Sequence, residues 1–205
     1  MARIKNRNLA LLAVLLLPMA ANADLIVNGG FEDPDISTGS FAIFGGGIPG
    51  WYVTTGDGIE IQDNVAGSPY EGGQLVELDA TRNSGMAQNV GTSSGGLYEL
   101  VFAFSARPGV SELSNGIDIF WDGLLLDSIT ASGAGLSDTS WTIYSFLVTA
   151  STDLTVLEFR ATGISDSLGG YLDGVSLVAV PEPGTLMLLG IGLAGLGLTR
   201  RRRQA

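Results

Sequence analysis

The chain has 205 residues, with 10 basic and 21 acidic side chains for a net charge of −11, and neither cysteine nor histidine. Those two absences exclude disulfide staples, nucleophilic triads built on His, and the usual zinc ligand sets. Between the two ends the only cations are Arg82, Arg107 and Arg160, so the surface repels a phosphate backbone and nucleic acid is excluded as a partner.

Arg3, Lys5 and Arg7 precede an apolar run over residues 9–17 that Pro18 closes, and Ala21-Asn22-Ala23 follows with small residues at the two key positions. This order predicts a secretory signal peptide over residues 1–23, cut by signal peptidase so that the mature chain begins at Asp24. Residues 24–180 then suit one domain. Seven of the basic residues and one acid, Glu182, lie outside that body, which leaves three basic and 20 acidic residues, net −17. Such acidity keeps an exported protein soluble and also attracts divalent cations or basic matrix components.

Alternation marks the strands of the body. Tyr98, Leu100, Phe102 and Phe104 point one way and Glu99, Val101, Ala103 and Ser105 the other. Ile117, Ile119 and Trp121 alternate with Asp118 and Phe120, and Asp122-Gly123 before Leu124-Leu125-Leu126 predicts a tight hairpin. Further strands are expected at 41–44, 51–54, 58–62, 74–78, 86–90, 141–149, 154–161 and 171–178. Gly/Ser/Asp/Pro clusters separate them, and no window between the two ends has a helical period. Short strands at this spacing predict an all-β, antiparallel β-sandwich, with a jelly roll as the preferred topology. Assembly through an exposed edge strand is open to such a fold, but nothing in the sequence singles out an edge.

Asn28-Gly29-Gly30-Phe31-Glu32 near the start, Gly50-Trp51, and Leu172-Asp173-Gly174-Val175-Ser176-Leu177 near the end resemble the two ends of galactose-binding-like jelly rolls, including many carbohydrate-binding modules. The resemblance implies that the first and last strands lie side by side. It also implies a structural Ca2+ held by Glu32 and Asp173, with backbone carbonyls completing an oxygen shell. Gly174 stands where the family pattern has Asp or Asn, one ligand fewer. The other reading of these residues is a turn with a core contact, in which Asp173 caps a bend. Asp33 and Asp35, flanking Pro34, read as solvated turn residues.

Sugar recognition by such a domain would use rings laid on pyranose faces. The candidates are Trp51, Tyr52, Tyr70, Trp121, Trp141 and Tyr144. Trp51 and Trp121 are assigned to the core, and Tyr52 and Tyr70 are preferred as exposed loop rings. A glycosidase would need two carboxyl groups about 5–9.5 Å apart. Glu60, Glu77 and Asp79 lie on predicted strands, but they read as the solvated face of an edge sheet. The body is therefore expected to be non-catalytic, with a small glycan-processing hydrolase as the alternative.

The tail reads Pro181-Glu182-Pro183, an apolar Gly/Leu run over residues 184–198, then Arg200, Arg201, Arg202 and Arg203. As a helix the run of about 15 residues reaches about 22 Å, short of the roughly 30 Å hydrocarbon core. The arginines stay on the cytoplasmic side. These three elements, in this order, resemble the PEP-CTERM sorting signal of exopolysaccharide-producing Gram-negative bacteria. The resemblance implies that residues 181–205 are a sorting signal with a short transmembrane helix, handled by exosortase at or near the Pro-Glu-Pro triplet. It further implies transient residence in the inner membrane, then the cell surface or the extracellular matrix, where extracellular polysaccharide is the expected partner and biofilm the expected setting. An ordinary membrane anchor is the rival reading of the tail.

Overall fold

Strand alternation across the body folds into eleven strands in a computed structural model that describes residues 23–181 and 191–192. Ala21, Glu182, Pro183, Arg200, Arg201, Arg202, Arg203 and the expected transmembrane run, residues 191–192 apart, lie outside the described residues, as does the expected signal peptide before Ala23. Among the described residues no helix is long and apolar enough to cross a membrane.

In chain order the strands are β1 (Ser40–Phe44), β2 (Tyr52–Thr55), β3 (Ile59–Asp63), β4 (Leu75–Glu77), β5 (Gly85–Gly91) and β6 (Leu97–Ser105). They continue as β7 (Gly116–Trp121), β8 (Leu124–Ile129), β9 (Thr142–Thr149), β10 (Leu154–Thr162) and β11 (Tyr171–Ala179). They form a six-stranded sheet, β1-β3-β4-β11-β6-β9, and a five-stranded sheet, β2-β5-β10-β7-β8. Every pairing is antiparallel. The expected antiparallel sandwich is the observed architecture.

The core lies between the sheets. Ile59 and Ile61 of β3, Leu100, Phe102 and Phe104 of β6, Ile117 and Ile119 of β7, and Phe159 of β10 are at most 1% exposed. Burying one such side chain contributes about 1.5–3 kcal/mol. Trp51 and Trp121 join this cluster as expected. Each satisfies its indole N–H on a backbone carbonyl, that of Asn28 at 3.1 Å and that of Thr149 at 2.9 Å respectively. The Asp122-Gly123 turn has positive φ at both residues, 52° and 77°, as the hairpin required.

The first described segment pairs with the last strand. Leu25 N–H donates to the Leu177 carbonyl and Val175 N–H to the Gly29 carbonyl, each at 2.9 Å. A Cβ on Gly29 would stand 1.9 Å from the Val175 carbonyl oxygen, so only glycine permits this approach.

One expectation fails. Glu60, Glu77 and Asp79 are not a solvated face; they are buried, at 5%, 0% and 0% exposure. Glu60 and Glu77 do point away from the core, on the outer face of the six-stranded sheet. Chain that precedes β7 and β11 folds over them: Arg107 reaches Glu77, Gly169 N–H donates to Glu77 at 2.5 Å, and Asp166 and Ser167 N–H donate to Asp79 at 2.8 and 3.0 Å. Local alternation identifies an outward face but not the loops that cover it.

Candidate functional site

Asp173 sits on β11, fully buried, with its carboxylate turned to the outer face of the six-stranded sheet. One oxygen accepts the N–H groups of Tyr70 at 2.8 Å and Glu71 at 3.1 Å, and the other accepts that of Gly174 at 2.7 Å. Burial pushes its pKa up to about 7, against the pull of those three amides. Glu32 holds the next part of the same loop, accepting the N–H groups of Gly73 at 2.9 Å and Gln74 at 3.0 Å. Two carboxylates from opposite ends of the body thus fix residues 70–74.

The fixed loop presents Tyr70. Tyr70 is 43% exposed, and its ring lies against Gly174, where an added Cβ would stand 3.0 Å from Cδ1. Gly174 has φ +56°, so the sequence departure from Asp or Asn at this position also makes room for the ring. Trp141 closes the other side: the two ring centroids are 6.1 Å apart and the planes meet at 63°. The Trp141 indole N–H donates to the Ser68 carbonyl at 3.0 Å, and Ser68 N–H donates to the Asp138 carboxylate at 2.8 Å. Amides of Thr139 and Ser68 lower the Asp138 pKa below the ordinary carboxylate value. The result is an edge-to-face pair of rings, Tyr70 exposed and Trp141 half-buried, on loops that also carry the exposed residues Glu71 and Asp138. A pair of rings beside hydroxyl-accepting oxygens has the elements that sugar recognition uses.

Tyr52 is also exposed, at 39%, but it sits on β2 of the five-stranded sheet and its hydroxyl faces Asn89 at 3.4 Å. The structure does not bring Tyr52 and Tyr70 together. Trp141 takes the second place instead. The sequence put it among six rings without preferring it; its position, opening a strand straight after the polar stretch 132–140, was the available signal.

The buried acids make a separate cluster. Glu60 and Glu77 face each other across β3 and β4, and Gln62 Nε2 donates to both, to Glu60 at 2.8 Å. Arg107 pairs with Glu77, and the Tyr171 hydroxyl meets Gln62 Oε1 at 3.2 Å. Burial pushes Glu77 up to about 8, with the Arg107 guanidinium opposing it and Glu60 adding to it. Burial also raises Glu60. Both Glu77 oxygens are taken by Gln62, Arg107 and Gly169, and Glu60 accepts from Gln62.

Among the described residues no group of three or more His, Cys, Asp or Glu side chains is placed to hold a metal ion. Glu32 and Asp173 do grip one loop, but through N–H donors, where a cation site needs oxygen lone pairs turned inward. As arranged here, the pair does not fit a shared calcium ion.

At the other end of β11, Val180 N–H donates to the Leu97 carbonyl at 2.8 Å. Pro181 follows, exposed, beside a groove of about 480 Å3 lined by Leu97, Tyr98 and Val180 among others. Proline has no N–H with which to extend the ladder, so the chain leaves the sheet where the Pro-Glu-Pro triplet begins.

Residues 179–203 match the PEP-CTERM protein-sorting motif. The chain is 30% identical over 159 residues to the multifunctional-autoprocessing repeats-in-toxin of Vibrio cholerae serotype O1, a match that covers 74% of this chain. The corresponding toxin of Vibrio vulnificus is 30% identical over 155 residues, again 74% of this chain. The chain spans about 3% of the length of each toxin. Among solved structures, an arabinose-bound GH51 α-L-arabinofuranosidase superposes with a TM-score of 0.53 at 12% identity, over 77% of this chain and 26% of that one. A family 35 carbohydrate-binding module from Clostridium thermocellum gives 0.43 at 17% identity, over 69% of this chain and 99% of that one. The chain carries a PEP-CTERM sorting motif behind a jelly-roll sandwich, and the motif marks it as an exported substrate of exosortase.

Proposed function

We propose that this is a non-catalytic surface or matrix protein, which exosortase processes at the Pro-Glu-Pro triplet and whose sandwich binds extracellular polysaccharide through Tyr70 and Trp141. The observation that carries the reading is the sorting motif at residues 179–203. That motif supports export, and the ring pair of Tyr70 and Trp141 supplies a surface chemically suited to glycan. The burial of Glu60 and Glu77 under their own loops favours binding over hydrolysis. Transient residence in the inner membrane of a Gram-negative host, with the arginines inside, belongs to the same proposal.

Two measurements test it. Mass spectrometry of the released protein should find a C-terminus at or near Pro181-Glu182-Pro183, and substituting the triplet should trap intact chain in the inner membrane; release of the substituted protein at the normal rate refutes the sorting half. A glycan array beside a turnover assay should show binding without new reducing ends. Turnover that Glu77→Gln abolishes would turn the reading toward the hydrolase.

A further inference from the structure

Four strands end the two sheets: β1 and β9 in one, β2 and β8 in the other. Native edges are blunted by shortness, charge, proline or a bulge. β1 has 5 residues, and β2 has 4 with a register shift against β5. β8 carries Asp127 and a register shift against β7. β9 has none of these guards: its 8 residues include no charge and no proline, and they keep unbroken register with β6.

The direction of its backbone groups follows from the ladder. Successive residues of an antiparallel pair point their N–H and C=O alternately to the two sides. Ala150 N–H donates to the Gly96 carbonyl at 3.0 Å, and the Ala150 carbonyl accepts from Gly95 at 2.8 Å. Even-numbered residues of β9 therefore face β6 and odd-numbered ones face away. The outward carbonyl of Thr149 is taken by the Trp121 indole at 2.9 Å. That leaves Ile143, Ser145 and Leu147, whose outward backbone groups have no partner among the described residues. The side chains of Ile143 and Leu147 are 57% and 67% exposed.

We propose that this edge pairs with the same edge of a second copy of the chain, antiparallel about a two-fold axis at Ser145. In that register Ser145 faces Ser145 and Ile143 faces Leu147 in both directions, so the three free residues satisfy one another. Each facing pair exchanges two hydrogen bonds, and the core-side residues Tyr144 and Phe146 are matched as well. A shift by one residue would set free groups against groups already bonded to β6 and would mix the two faces. The contact is isologous, so it closes at two copies.

Charge singles out the same strand. A body of net −17 repels its own copy except where charge is absent, and β9 is such a place. The carboxylate on the neighbouring strand, Glu99, accepts the Ser145 hydroxyl at 2.9 Å. In the paired sheet the two Glu99 carboxylates lean toward the axis through their Ser145 bonds, and salt screens their repulsion. One strand from each side is a small contact, so pairing gains from crowding on a surface and from salt.

The absence of cysteine makes the test direct. Facing residues of this type lie about 5.5 Å apart at Cα, within disulfide reach. Full-length Ser145→Cys protein, purified and mildly oxidised, should run as a linked dimer on a non-reducing gel. Ile143→Cys and Leu147→Cys should each stay monomeric alone and link when mixed, and Thr152→Cys serves as the exposed control. Sedimentation should find a dimer in the wild type, and Ser145→Pro and Leu147→Lys should each abolish it while the domain's melting temperature shifts little. The proposal is overturned if Ser145→Cys links no better than Thr152→Cys. It is equally overturned if Ile143→Cys links alone as readily as Ser145→Cys, or if the wild-type dimer fraction falls as salt rises.

Discussion

Asp173 on β11 accepts the backbone N–H of Tyr70 at 2.8 Å, tying the last strand to the loop that presents the exposed ring. The bond joins residues 103 apart in the chain. It makes the loop's position a property of the sheet and not of the loop's own sequence.

Substituting that carboxylate should therefore loosen the loop. Asp173→Asn replaces one of the accepting oxygens by an NH2 group that meets the N–H of Gly174 or of Tyr70 and Glu71. The expected cost is about 1–3 kcal/mol, or roughly 2–4 °C in Tm for each kcal/mol. Thermal unfolding followed by circular dichroism measures it, and glycan affinity should fall with it. An unchanged melt would mean that the three amide bonds add nothing net.

Ring removal should separate binding from folding. Tyr70→Ala and Trp141→Ala delete surface aromatics and should abolish glycan binding with a stability loss of about 1 kcal/mol or less for Tyr70. Tyr70→Phe should keep most of the affinity, because the ring face carries the contact. Tyr52→Ala should leave binding intact, since Tyr52 lies on the other sheet. Isothermal titration against the best array ligand decides among these.

Stability should fall as pH rises. Glu77 and Asp173 are pushed up to about 8 and about 7, from ordinary values of 4.5 and 3.8. The unfolded chain ionises these groups first and gains from it, so their contribution to folding is full below about pH 4 and is lost as pH climbs through 7 to 8. Urea midpoints across this range should decline. Glu77→Gln should flatten part of the slope, and an unaltered slope in that variant would remove Glu77 as its source.

Calcium offers a contrast between resemblance and geometry. With amide donors where a cation would sit, excess chelator should leave Tm unchanged. A ligand at 100 times its Kd adds about 2.7 kcal/mol, a shift that thermal unfolding resolves. A calcium-dependent rise in Tm that Asp173→Asn abolishes would restore the expected ion.

Much of the fold was legible because a strand half-buried in a sandwich repeats every two residues. Every predicted strand has its observed counterpart, and the Asp122-Gly123 hairpin followed from the only two residues there that accept positive φ. The proximity of the first segment to β11 is what the resemblance to galactose-binding-like jelly rolls implied. Glu32 and Asp173, expected as calcium ligands, accept backbone amides of one loop. The acids Glu60, Glu77 and Asp79 misled, because outward alternation is a property of one strand and burial depends on what crosses it.

The C-terminal sorting motif could be read by itself, since sorting machinery recognises short linear stretches of charge, greasiness and proline without any folded neighbour. Residue identity alone likewise removed histidine and cysteine chemistry. Where Tyr70 stands, that Trp141 and not Tyr52 is its companion, and that β9 is the unguarded edge were decided only in three dimensions. Each depends on contacts between residues far apart in the chain, and those distances exist only once the two sheets have closed on their core.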